Sequence, residues 1–102
     1  MELQQLQKSV EAVSVQYAKT FEIDRTGTWF MLKLQEEVGE LVQAFLAMKG
    51  MGRDRGYSEE ELRDRFAQEC ADVLAQFLLL AKNEEVDLEA AIQEKWLSRL
   101  GH

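Results

Sequence analysis

The sequence predicts an all-α fold built from four helices, and three observations support this prediction. The 102 residues include no proline, the residue that most strongly disrupts a helix interior. Apolar residues recur three or four positions apart in four stretches, which places them on one face of a helix. No stretch alternates apolar and polar residues as a strand does. We therefore expect a four-helix bundle in a single domain, residues 1–102.

The first predicted helix spans residues 3–17. Its apolar side chains recur at helical spacing and are Leu3, Leu6, Val10, Val13 and Tyr17. Residues 20–28 lose this period and include Gly27. They predict a connection, with Thr28 as the expected N-cap of the second helix.

The second predicted helix continues to about Lys49 and ends at a glycine cluster that begins with Gly50. Its predicted core stripe is Phe30, Leu34, Val38, Leu41, Val42, Phe45 and Met48. Residues 50–57 contain three glycines together with Arg53 and Arg55. This composition favours a mobile loop.

The third helix is expected to begin at Ser58, because Ser58 and Glu61 have the spacing of a capping box. It ends near Lys82, and its predicted core residues are Leu62, Phe66, Val73, Leu74, Phe77 and Leu80. Asp87 is the expected N-cap of the fourth helix. The predicted inward positions of that helix are Leu88, Ala91, Ile92 and Leu100.

Composition and charge exclude several classes of protein. A net charge of −7 argues against a general nucleic-acid binder, because such affinity comes largely from Lys and Arg neutralising phosphates. The single cysteine, Cys70, excludes an internal disulfide and fits a reducing compartment. The longest apolar run, Phe77–Ala81, is too short to cross a bilayer, and the first residues lack a signal core. We expect a cytoplasmic protein without membrane contact.

Acidic residues crowd one face of the second helix. Glu37 and Glu40 are three residues apart, and Glu36 and Glu40 are four apart, so their side chains are neighbours. Each like-charge pair destabilises a helix by roughly 0.2–0.5 kcal/mol. Glu69 and Asp72 repeat the three-residue spacing on the strongly apolar third helix, where carboxylates are tolerated when they are paired or bind a metal.

An antiparallel pair of these helices would bring both acidic groups to one point. Four or five oxygen ligands without nitrogen or sulfur favour Mg²⁺, with Mn²⁺ as a possible substitute. Glutamate is also a good helix former, so a solvated acidic surface is the alternative for either group alone. Two such groups, each flanked by core residues, favour the metal site.

The arrangement resembles the signature of the MazG-like branch of the all-α nucleoside triphosphate pyrophosphohydrolases. That signature is E-E-x-x-E followed, after 28 intervening residues here, by E-x-x-D. The similar phrases are KLQEEVGEL at 33–41, ECADVL at 69–74 and DLEAA at 87–91, and the likeness covers roughly residues 20–97. The resemblance implies Mg²⁺-dependent cleavage of nucleoside triphosphates between the α- and β-phosphates, which releases monophosphate and pyrophosphate.

The resemblance also implies a role for each acid. Glu37, Glu40, Glu69 and Asp72 would bind Mg²⁺, and Glu36 would orient or deprotonate the attacking water or help to hold a second metal. Relatives form dimers or tetramers in which helices of different subunits complete the site, so a homo-oligomer is expected.

Several other residues are candidates for substrate binding. Lys33 lies one turn before Glu37, where it either contacts a phosphate or forms a simple ion pair. Lys95 matches a lysine that the family uses near the phosphates, although Arg99 replaces the asparagine that often follows it. Trp29 could stack on a base, and packing in the core or at an interface is the alternative.

Two further features are less specific. Arg53 and Arg55 could close over the triphosphate, with solvated loop arginines as the alternative. Cys70 is expected to be a buried thiol that points away from the acids.

Two other functions compete with this interpretation, and a third is set aside. A di-iron carboxylate bundle needs Glu-x-x-His motifs, and the only histidine is His102. A non-enzymatic acidic interaction module would show no Mg²⁺ dependence. A hydrolase similar to phosphoribosyl-ATP pyrophosphatase is the alternative within the enzyme class.

Overall fold

The chain forms four α-helices, and the computed structural model describes residues 1–101. The helices are α1 (Leu3–Thr20), α2 (Gly27–Met48), α3 (Glu59–Asn83) and α4 (Leu88–Lys95), and a short 3-10 helix (Leu97–Arg99) follows. No strand occurs within these described residues. The predicted all-α class and the number of helices are therefore confirmed, while His102 lies outside the described residues.

Side-chain caps explain where three of the helices begin. Ser58 accepts a hydrogen bond from the Glu61 backbone N–H at 3.1 Å, and Glu61 accepts one from the Ser58 N–H at 2.9 Å, so the predicted capping box is confirmed. Asp87 caps α4 as predicted by accepting from the Ala90 N–H. The prediction for α2 was wrong, because Thr26, two residues before Thr28, provides the cap.

Helices α2 and α3 form an antiparallel hairpin. The centroids of the Phe45 and Phe66 rings lie 6.0 Å apart, and Met48 contacts Arg63. Residues later in α2 therefore contact residues earlier in α3, so the two helices run antiparallel. The turn out of α2 uses Gly50 at φ 72°, a conformation that glycine adopts without strain. This hairpin is the frame that holds the acidic residues.

The most buried side chains come from α1, α2 and the C-terminal half of α3. They are Ala18, Phe30, Leu78, Leu79 and Ala81. Helix α1 packs on α3 here, and Gln7 donates a hydrogen bond to the Leu78 backbone oxygen at 2.8 Å. Only Phe30 of this core belongs to a predicted stripe. The small residues Ser14 and Ala18 form the buried positions of α1, and Ser14 accepts a hydrogen bond from Arg25 at 3.1 Å.

Several predicted core residues are exposed, and those predictions were wrong for the single chain. They are Val13, Tyr17, Val42, Phe45, Leu74, Phe77, Ala91, Ile92 and Leu100. The predicted fourth helix also stops at Lys95, so Leu100 lies beyond it. The predicted burial of Cys70 was wrong as well: Cys70 is exposed, whereas the half-buried positions in this part of α3 include Phe66, Glu69 and Val73.

Candidate metal centre

Three carboxylates meet where α2 and α3 pack together. Glu37, Glu40 and Glu69 each offer one oxygen atom, and these three oxygens all lie within 4.8 Å of one another. The i,i+3 spacing on α2 aligns the first two, and the antiparallel hairpin brings the third from α3. Helix propensity alone does not account for this convergence, because it joins residues about 30 positions apart in the chain.

The crowded carboxylates raise one another's pKa values. The pKa of Glu37 is raised from 4.5 to about 7, mainly because burial disfavours its charged form, and further by Glu40 and then by the charges of Asp72 and Glu69. The pKa of Glu69 is raised too, first by burial and then by the charge of Glu40. Without a cation, the cluster therefore holds a proton more tightly than ordinary carboxylates do.

Two oxygen atoms of the cluster have no hydrogen-bond partner among residues 1–101. They are Oε2 of Glu37 and Oε2 of Glu69, and both are shielded from solvent. Buried acceptors without a partner are uncommon in folded proteins, because the hydrogen bonds to water that burial removes are costly to lose. A cation bound between these oxygens would compensate for that loss. The buried atoms belong to the same residues that converge, so the arrangement is suited to a bound cation.

The donor set fits Mg²⁺. Oxygens that bind one Mg²⁺ at about 2.1 Å lie at most about 4.2 Å from one another. The three carboxylate oxygens lie within 4.8 Å of one another, which is close to this limit. Small rotations of the carboxylates would bring them within it. All three ligands are carboxylate oxygens, which suits a hard cation such as Mg²⁺ or Mn²⁺ better than zinc.

The other two predicted acids lie outside this group of three. Asp72 is exposed, yet it is near enough for its charge to raise the pKa values of Glu37 and Glu69. Glu36 is exposed and accepts a hydrogen bond from Lys33 Nζ at 3.2 Å. The ion pair of Lys33 therefore involves Glu36, three residues on, and not Glu37.

The remaining predicted binding residues lie apart from the cluster. The Trp29 ring packs edge-on against Phe30, with 5.1 Å between ring centroids, at the start of α2 and close to the core. Lys95 is exposed in the last turn of α4. Helix α4 packs chiefly on the 3-10 helix that follows it, so this packing does not bring Lys95 to the hairpin.

Sequence reasoning missed Gln76. Its Oε1 atom is shielded from solvent and has no hydrogen-bond partner within the described part of the chain. Gln76 follows Asp72 by one turn on the same face of α3. The four-residue spacing was visible in the sequence, but a glutamine at helical spacing carries no signal of burial.

The fold and the acidic site together define a class: an all-α protein whose facing helices present carboxylates able to hold a divalent cation. Comparison with family models identifies the family. Residues 25–99 match the model of the MazG nucleotide pyrophosphohydrolase domain, and the chain belongs to this family, which confirms the predicted resemblance. Comparisons with curated proteins and with solved structures gave no match. None of the helices in residues 1–101 is long and apolar enough to cross a membrane.

Proposed function

We propose that this protein is a Mg²⁺-dependent nucleoside triphosphate pyrophosphohydrolase that cleaves (d)NTPs to (d)NMP and pyrophosphate and cleans the cytoplasmic nucleotide pool. The observation that carries the proposal is the meeting of Glu37, Glu40 and Glu69, with buried unpartnered oxygens on two of them. Membership of the MazG nucleotide pyrophosphohydrolase family supports the reaction class.

In this proposal Glu37, Glu40, Glu69 and Asp72 hold the cation, with Asp72 contributing from the turn of α3 that follows Glu69. Mg²⁺ bound there would neutralise the negative charge that develops on the phosphoryl oxygens during cleavage. The four acids would otherwise repel a triphosphate, so the reaction should need a cation strictly.

Glu36 is proposed to orient or deprotonate the attacking water. Its carboxylate accepts from the Lys33 ammonium, and a substrate phosphate would compete for that ammonium. Transfer of Lys33 to the phosphate would free the Glu36 oxygens to accept a proton from water. Trp29 is proposed to stack on the base, and Lys95 to reach a phosphate in the assembled oligomer.

Self-association to a dimer or tetramer is part of the proposal. Large apolar side chains are widely exposed in the single chain, for example Val13, which is 71% exposed, and Trp96, which is 62% exposed. Contiguous exposed apolar surface commonly marks an interaction site. Light scattering should report a mass above that of the 11.8 kDa chain, and a monomer at micromolar concentration would contradict this part.

The decisive experiment identifies the products. Purified protein with Mg²⁺ and a panel of NTPs and dNTPs should release monophosphate and pyrophosphate, and chelation of Mg²⁺ should stop the reaction. Glu37→Gln should remove the activity while the helical circular dichroism spectrum is unchanged. Glu60→Gln, which neutralises an exposed acid in the first turn of α3, is the matched control.

Four results would contradict the proposal. Release of orthophosphate and nucleoside diphosphate would show that the bond cleaved is not the one between the α- and β-phosphates. Turnover without any divalent cation would favour a different chemistry, and hydrolysis of phosphoribosyl-ATP alone would favour the related branch. An inactive protein that binds other proteins without Mg²⁺ would favour the acidic interaction module.

A further inference from the structure

A groove of about 730 Å³ opens from the acidic cluster toward the segment that connects α2 and α3. Its volume lies within the usual range for small-molecule sites. Glu40 and Glu69 line one part of it, and Arg53, Arg55 and Arg65 are among the residues that line the remainder. The groove therefore joins the proposed metal position to three guanidinium groups, half of the six in the chain.

Arg65 is held in place beside the acids. Its Cζ atom lies 4.5 Å from the centre of the Tyr57 ring, and its Nη1 donates a hydrogen bond to the Tyr57 hydroxyl at 3.1 Å. Stacking on the ring fixes the plane of the guanidinium. Arg65 also lies one helical turn before Glu69, and its charge lowers the pKa of that residue, against the stronger effects that raise it.

Arg65 keeps donors for a ligand. A guanidinium has five N–H donors in a planar fork, and within the described residues its hydrogen bond to Tyr57 engages one nitrogen. A planar fork matches the geometry of phosphate oxygens in a bidentate contact. Asp54, the acid of the connecting segment, also lines the groove, but its carboxylate accepts from the Gly56 N–H at 2.8 Å.

We infer that this groove is the subsite for the pyrophosphate part of the substrate, with Arg65 as its fixed phosphate-binding residue and Arg53 and Arg55 as additional positive charges. The inference rests on the proposed function and adds an orientation to it. The scissile bond at the metal divides the substrate into one phosphate that carries the nucleoside and two that leave together. The more negative part pairs with the three guanidiniums.

The same orientation directs the nucleoside the other way along α2. Trp29 precedes Glu37 by eight residues, which is about 12 Å along a helix, on the side away from the groove. The two halves of the substrate would therefore meet different chemistry, with guanidiniums at one end and an aromatic ring at the other. The inference can therefore be tested by measuring the binding of pyrophosphate and of nucleoside monophosphate separately.

The experiment measures binding of inorganic pyrophosphate in the presence of Mg²⁺ by calorimetry. Arg65→Gln should weaken pyrophosphate binding about tenfold or more, the size expected for one charged hydrogen-bonding group, and should leave the affinity for nucleoside monophosphate within about twofold. Arg63→Gln is the matched control, since it removes the same charge two residues away but outside the groove, and it should bind pyrophosphate like the unchanged protein.

Two further variants keep the test valid if Arg65→Gln misfolds. Arg65→Lys keeps the charge but not the fork and should lie between the unchanged protein and Arg65→Gln. Tyr57→Phe removes only the hydroxyl that holds the guanidinium and should weaken pyrophosphate binding by about threefold. If Arg65→Gln does not fold, these two variants carry the test.

Equal pyrophosphate affinity in Arg65→Gln and Arg63→Gln would overturn the subsite, as would an unchanged protein that binds no pyrophosphate. Weaker monophosphate binding with unchanged pyrophosphate binding would reverse the orientation and also overturn it. These results are distinct from failure of the proposed function, which would appear as no pyrophosphate release from any nucleoside triphosphate by the unchanged protein.

Discussion

The α2/α3 hairpin and the C-terminal segment, residues 88–100, contrast in how their side chains are used. In the hairpin, two long helices face each other and bring acids from both to one point. In the C-terminal segment, Ile92, Trp96 and Leu100 are all more than half exposed. The contrast teaches that the hairpin can build its acidic cluster within one chain, whereas the apolar side chains of the C-terminal segment lack cover there.

The largest expected difference between the two regions is in catalysis. Glu69→Gln should lower turnover of nucleoside triphosphates by about a hundredfold or more, since metal ligation supplies several kcal/mol of transition-state stabilisation and each 1.36 kcal/mol is tenfold in rate. Glu94→Gln makes the same change on α4 and should stay within about twofold. Steady-state release of pyrophosphate measures both, and equal losses would remove the distinction between the regions.

Metal binding should stabilise the hairpin selectively. At a Mg²⁺ concentration of 100 times Kd, binding adds about 2.7 kcal/mol to the free energy of unfolding, which raises Tm by roughly 10 °C for a domain of this size. Hydrogen exchange should slow in α2 and α3 and change little in α4. Glu37→Gln should lose most of the Mg²⁺ effect, and a rise in Tm of equal size in that variant would contradict the assignment.

Proton competition should make the affinity of the cluster for Mg²⁺ depend on pH. The pKa of Glu37 near 7 in the metal-free protein means that Mg²⁺ must displace a proton below that pH. Affinity for Mg²⁺ should therefore fall by up to tenfold per pH unit below about 7 and level off above it. Calorimetric titration at several pH values measures this, and an affinity that is flat from pH 5 to 8 would contradict it.

The same shift has a definite sign for the stability of the metal-free protein. A carboxyl whose pKa is raised on folding binds its proton more tightly in the folded state. The metal-free protein should therefore lose stability as pH rises from about 4.5 to about 7. Glu37→Gln should flatten that slope, which denaturant unfolding at fixed pH can measure.

The smallest expected difference concerns the helix caps. Ser58→Ala removes the cap of α3 and should lower the free energy of unfolding by about 1 kcal/mol, because α3 is part of the global fold. Asp87→Ala removes the equivalent bond on α4 and should instead speed hydrogen exchange in α4 while global unfolding in urea is nearly unchanged. Equal global losses would show that α4 is as firmly packed as the hairpin.

Local rules accounted for most of the helix boundaries. Ser58 and Asp87 were recognised as caps because the capping pattern lies within four residues of sequence. Thr28 was predicted as the cap in place of Thr26, because both threonines near the helix start carry a hydroxyl that could accept the capping hydrogen bond. Which of them caps the helix depends on the backbone conformation, which the sequence pattern does not show. The end of α3 at Asn83 also agrees with the prediction, although a non-glycine residue, Glu85, adopts positive φ there.

The core was less predictable than the helices. Periodicity identified an apolar face on α1 but assigned Val13 and Tyr17 to the core, whereas Ser14 and Ala18 are the buried residues of this helix. A neighbouring helix approaches most closely where side chains are small, and this choice depends on the partner surface. Leu78 and Leu79 were missed for the same reason, because α3 is apolar on more than one face.

The sequence by itself determined that this chain is helical, where its helices begin and end to within a few residues, and which acids could form a site, because these depend on spacing over one or two turns. Only the tertiary structure decided which acids converge, since Glu69 meets Glu37 and Glu40 through the register of the hairpin. It also decided that Arg65 stacks on Tyr57, whereas the Lys33–Glu36 ion pair is a local i,i+3 contact within α2. Contacts between distant segments depend on how two surfaces fit, and helical periodicity does not encode that fit.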